Sequence, residues 1–100
     1  MAELTVDEIA PGAASAEEAK LFHDLARRWM PLPDGIRRVH FRFGEASDGA
    51  PAVWIIVVMP EDLKPSKEKI RTISKVTQSF RDDVLAAETD RWPYIRIETE

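Results

Sequence analysis

The residues of this 100-residue chain best suited to moving protons or holding a metal are His23, His40 and two adjacent carboxylate pairs, Glu61-Asp62 and Asp82-Asp83. His23 is followed by Asp24 in a helical stretch. His40 lies between Arg38 and Arg42, whose like charge lowers an imidazole pKa. Carboxylates adjacent in sequence point to different sides of a helix, or splay apart in a turn, so neither pair predicts a metal site or an acid-base couple. The chain has no cysteine, which removes disulfides, thiolate zinc sites and a thiol nucleophile. It also shows no glycine-rich phosphate loop, no metal-ligand spacing and no serine-centred elbow. The expectation is a protein with no catalytic residues, no metal and no cofactor.

Recognition chemistry is better represented. Arg38, His40 and Arg42 alternate with apolar residues in IRRVHFRF, and Arg96 does the same after Tyr94 in RWPYIRIE. Arginine and tyrosine combine apolar contact area with specific hydrogen bonds, the chemistry of interface centres. A second basic group lies between Lys64 and Arg81, where six positive side chains meet a single acid, Glu68. Lys64, Lys67, Arg71 and Lys75 follow spacings of three, four and four, which place them on one helix face as a candidate phosphate-binding stripe. Four contacts to duplex DNA would give a salt slope of about −3.6. The alternative is an ordinary solvated helix face.

These residues need elements to hold them. Ser15 and Glu18 have capping-box spacing, so a helix is expected from Ser15 to about Met30. Its buried stripe is Phe22, Leu25, Ala26 and Trp29, bordered by Leu21 and Met30, and Pro31 and Pro33 stop it. PLPDG is a reversal. IRRVHFRF then alternates as a half-buried strand, whereas AVWIIVVM (52–59) is apolar throughout and expects cover on both faces. GEASDGAP between them reads as a hairpin connection longer than two residues and a candidate for flexibility. Pro65 suits the first turn of a second helix, with Ser66 as a competing cap. That helix is expected to bury Ile70, Ile73, Thr77, Phe80 and Val84 and to end near Ala87 or Glu88. RWPYIRIE closes the chain as a third strand, confined by Pro93 to an edge or a strand start.

The order αββαβ predicts an α+β domain over 15–100, a three-stranded mixed sheet with two helices packed on one face. In the compact arrangement the third strand pairs antiparallel with the first, and the second sheet face stays open. With Val39, Phe41 and Phe43 turned to the helices, the open face carries Arg38, His40, Arg42, Tyr94 and Arg96. The second strand adds either Trp54, Ile56 and Val58 or Val53, Ile55 and Val57. The expected interface is Arg38, His40, Arg42, Trp54, Ile56, Val58, Tyr94 and Arg96. Covering three such apolar residues is worth roughly 5–9 kcal/mol gross, against an association cost of about 4–15 kcal/mol, so the strip needs its rim. Three occupants compete for this face. One is cover from within the chain, with the arginines reaching to water; another is a second copy or a different protein. The third is single-stranded nucleic acid stacked on Trp54 and Tyr94, for which the sequence offers no clamping Gly-X-X-Gly loop.

Composition narrows the class. A hydrophobic content of 44%, with three Trp and four Phe, supports one modest core and argues against disorder. The net charge of −4 argues against a surface built as a whole for nucleic acid. Residues 1–14 hold Glu3, Asp7 and Glu8 and no base before the breaker Pro11-Gly12. They read as an acidic N-terminal arm, mobile or loosely docked, with Leu4, Val6 and Ile9 offering the competing reading of an edge strand or a cover. The first residues show no basic segment followed by an apolar run, and no stretch approaches the ~20 apolar residues that span a bilayer. A cytoplasmic protein with no membrane contact is expected. The functional expectation is a small non-catalytic binding or assembly module, with a homodimer or protein partner on the sheet, and with RNA or single-stranded nucleic acid as the alternative.

Overall fold

A computed structural model describes residues 12–33, 35–60 and 67–99. The elements are α1 (Ala16–Arg28), β1 (Arg38–Glu45), β2 (Pro51–Met59), α2 (Lys67–Ala86) and β3 (Trp92–Thr99). This is the expected αββαβ order, an α+β fold with two helices and a mixed three-stranded sheet. Lys64, Pro65, Ser66, Glu61-Asp62 and residues 1–11 of the acidic arm lie outside the described residues.

The strand order differs from the expected one. β2 is central, pairing antiparallel with β1 and parallel with β3, so the order is β1-β2-β3 and the expected antiparallel pairing of β3 with β1 does not occur. The reason lies in β2 itself. A strand with apolar side chains on both faces is best protected in the middle of a sheet. The helix between β2 and β3 also makes them a βαβ unit, whose parallel strands naturally sit side by side.

Local chemistry sets each boundary. Ser15 caps α1, its hydroxyl accepting from the Glu18 amide at 3.1 Å. The Glu18 carboxylate accepts from the Ala14 amide at 2.9 Å, one residue earlier than in a strict capping box. The β1–β2 connection closes by Gly49 N–H donating to the Ala46 carbonyl at 2.9 Å and Ala46 N–H donating to Ala50 at 2.8 Å. Gly49 has φ +85°, a left-handed value for which glycine is suited. The loop is thus longer than two residues, as its length implied.

Both helices cover one sheet face. Phe22, Leu25, Ala26 and Trp29 of α1 and Phe80 and Val84 of α2 join Phe41, Val53, Ile55, Val57 and Met59 in one core. Trp29 stacks on Phe80, with centroids 4.1 Å apart and planes 23° apart, and its indole N–H donates to Asp83 Oδ2 at 2.7 Å. That bond fastens α1 to α2 across the core edge. Ile70 departs from the expected buried set: it is 55% exposed, and the buried residues of α2 are Thr77, Phe80 and Val84. Ile70 lies in the first turn of α2, beyond the core, whereas Ile73 and Val76 in the same half of the helix are partly buried against it.

Candidate binding face

The second sheet face has no described helix on it. Register and alternation set its side chains in rows across the strands: Arg38, Val58 and Glu98; His40, Ile56 and Arg96; Arg42, Trp54 and Tyr94. Every residue of the expected interface falls in these rows, because the core takes Val39, Phe41, Phe43, Val53, Ile55 and Val57 on the opposite side. The strip is less open than expected, however. Ile56 and Val58 are only 4% and 3% exposed, being central-strand residues flanked on both sides by larger neighbours. The accessible part of the face comprises Tyr94, half-buried Trp54 and His40, the arginines, Glu98 and, by the same alternation along β3, Trp92, 47% exposed.

Trp54 and Tyr94 stack across the β2–β3 boundary, with centroids 5.6 Å and planes 21° apart. On the other side Trp54 lies over Gly44, where a Cβ would come within 3.1 Å of Trp54 Cζ3. Glycine at this position is what lets the indole lie down on the sheet. Beside it a shallow cavity of about 390 Å³ is lined by Arg42, Phe43, Gly44, Glu45, Trp54, Ile56 and Arg96. Guanidinium groups from the two edge strands thus flank an apolar floor. Arg96 pairs with Glu98 at 2.9 Å, both exposed. Burial first, and the Arg38 charge second, push the His40 imidazole below its ordinary 6.5, with Glu98 opposing. A neutral histidine leaves three arginines against Glu98 and the cavity-lining Glu45, so the face is slightly positive on a chain whose net charge is −4.

The other candidates are dispersed. Lys67, Arg71 and Lys75 are exposed on the N-terminal half of α2. They belong to the helix layer, so they and the sheet arginines lie on opposite sides of the molecule. Asp83 is committed to Trp29 and Asp82 accepts from Gln78 at 3.0 Å, which separates the Asp82-Asp83 pair. Among the described residues no group of three or more His, Asp or Glu is placed to hold a metal ion. None of the described helices is long and apolar enough to cross a membrane.

One site escaped the sequence. Arg91, just before β3, donates to both carboxylate oxygens of Glu18, at 2.9 and 3.1 Å, and to the Gly44 and Ala52 carbonyls, at 3.1 and 3.0 Å. Its guanidinium lies 4.9 Å from the Phe43 ring centre. This clamp ties the start of α1 to the ends of all three strands. The hydrogen bonds from Arg91 hold the Glu18 carboxyl below its ordinary 4.5, with burial opposing. An acidic cavity of about 490 Å³ next to it is lined by Glu17, Glu18, Glu88 and Asp90, with Arg91 at its base. The sequence shows Glu18 only as a cap, because a partner 73 residues away leaves no local signal.

No family model matches the chain, and no curated protein is similar to it. The functional reading rests on the face itself.

Proposed function

We propose that the chain is a small, non-catalytic binding module of the cytoplasm that receives a protein partner on its outer sheet face. The observation that carries this reading is the depression between Arg42 and Arg96, floored by Ile56 and walled by the Trp54 indole. Two guanidinium groups beside an aromatic wall suit a partner segment bearing a carboxylate next to an apolar side chain. The neutral His40 adds no charge to compete with them at pH 7. With Ile56 and Val58 already buried, little apolar area remains to gain, so binding depends on these arginines and is weak to moderate in strength.

The second reading is single-stranded nucleic acid. It is favoured by the Trp54–Tyr94 stack, whose exposed Tyr94 ring offers a base a surface. A strand lying on this face would not reach Lys67, Arg71 and Lys75 on the opposite layer, which limits its phosphate contacts to Arg38, Arg42 and Arg96.

Two variants separate the readings from each other and from the helix stripe. Arg42→Glu is expected to abolish association with the partner while leaving the fold intact. The triple change of Lys67, Arg71 and Lys75 to Glu is expected to leave association unchanged. The reverse pattern would move the binding site to α2. Loss of oligonucleotide binding alone in Arg42→Glu would favour the second reading.

A further inference from the structure

β3 is an edge strand: among the described residues it pairs only with β2. We infer that a second copy of this chain adds to the free edge of β3, antiparallel, in a register that sets Arg96 opposite the second copy's Glu98 and joins the two sheets into one of six strands. The backbone narrows the choice of register. Pro93 has no N–H to give, so an intact ladder turns the polar backbone of 92, 94, 96 and 98 toward β2 and that of 93, 95, 97 and 99 toward the free edge. A two-fold antiparallel pair must therefore match outward residues with outward residues, and axes at Tyr94, Ile95, Arg96 and Ile97 are those that pair five or more residues of the strand. With the axis at Tyr94 or Ile95, Pro93 falls opposite Ile95 or Ile97 and a ladder bond is missing. With the axis at Arg96, two arginines meet in a non-hydrogen-bonded pair, where side chains are closest.

With the axis at Ile97, five residues pair, no ladder bond is lost and no like charges meet directly opposite within the strands. Ile97 bonds to its own copy, Ile95 and Thr99 bond reciprocally, and Arg96 and Glu98 face each other twice across the junction. Ile97, 54% exposed in the single chain, meets its equivalent on the helix side of the joined sheet. Arg96 and Glu98, which already pair within one strand, keep that contact and gain the opposite charge from the neighbour. β1, the other edge, is unsuited to this: an axis at His40 sets Arg38 against Arg42. Lys67 and Arg71, exposed in the first turns of α2, add like charge to each copy, and only a short stretch of edge is paired, so the association is modest. It is best measured at about 150 mM salt, where the Debye length is about 8 Å.

The inference does not rest on the outer face having a partner, because the free β3 backbone makes the pairing; Arg96 belongs to both proposals, whereas Arg42, on the far edge strand, belongs to the face alone, and Arg42→Glu is expected to leave the dimer unchanged. The test is molar mass by light scattering from about 1 µM to about 1 mM for the parent, Arg96→Glu, Glu98→Arg and an equimolar mixture of the two variants. The expected result is a concentration-dependent parent dimer, each variant weakened by at least about tenfold through like charges placed opposite, and a restored dimer in the mixture. Net charge does not explain restoration, since each substitution moves it by two, from −4 to −6 or −2, and both variants stay negative. A parent that remains monomeric overturns the inference, as does a dimer indifferent to both substitutions or a mixture that fails to re-associate.

Discussion

Trp54 lies parallel to Tyr94 across the junction of β2 and β3, 21° from coplanar, and rests on the one residue of β1 that has no side chain, Gly44. Sheet register, a glycine and two aromatic rings together build the apolar wall of the outer face. Offset-stacked rings contribute about 0.5–1.5 kcal/mol beyond their burial. A double-mutant cycle of Trp54→Ala and Tyr94→Ala, followed by urea denaturation, is expected to return a coupling in that range. A coupling of zero would mean that the rings do not support each other.

Arg91 is the residue whose loss should harm the fold most for its position outside the core. Its side chain is 13% exposed and that of Glu18 19%, so Arg91→Ala leaves a part-buried carboxylate with only the Ala14 amide as donor and removes a second donor from two ladder carbonyls. The expected cost is about 1–3 kcal/mol, and Arg91→Lys recovers only part of it, because an ammonium cannot fork across both oxygens. Glu18 has a lowered folded pKa, so its contribution is fully present above the ordinary value of 4.5 and is lost as pH falls from there through the folded value. Chemical denaturation between about pH 6 and pH 3 is expected to show that loss in the parent and a much flatter profile in Glu18→Gln.

His40 acts in the same direction in a higher window. Its folded pKa is depressed, so the unfolded chain takes up a proton first, and stability begins to fall as pH drops below 6.5. Arg38 and Glu98 are the charged groups that act on it, with Glu98 partly offsetting Arg38. His40→Gln is expected to remove this component between about pH 7 and pH 5, measured as the urea midpoint. A slope that survives the substitution would assign the titration elsewhere.

The two ends of α2 should respond differently. Phe80→Ala removes a core ring stacked on Trp29 and is expected to cost about 3–5 kcal/mol. Ile70→Glu, in the exposed first turn, is expected to stay within about 0.5 kcal/mol of the parent. Thermal unfolding of both variants checks this, and an equally severe Ile70 variant would mean that the first turn packs after all.

Much of this architecture can be read from the chain. Alternation in IRRVHFRF and RWPYIRIE separates core from outer residues, and the unbroken apolar run of β2 demands cover on both faces. What misleads is neighbourhood. Apolar pattern fixes which way a side chain points but not which strand lies beside which, so the central place of β2 escapes a reading guided by compactness. The same gap hides how deeply Ile56 and Val58 are buried, since flanking rows rather than a helix enclose them. Ile70 keeps perfect helical spacing yet stays exposed, because periodicity says nothing of where the core ends. Arg91 carries no local mark at all: its partners come from α1, β1 and β2.

The central claim is that the outer face, not the helix layer, is the working surface. Its most direct test is photo-crosslinking in the cells that make the protein, with a benzophenone-bearing phenylalanine in place of Tyr94 and, as a control, in place of exposed Ser79 on α2. The account predicts one discrete protein adduct from position 94 that disappears when Arg42→Glu is added, and none from position 79. Adducts of equal strength from both positions, or a position 94 adduct unaffected by Arg42→Glu, would contradict it.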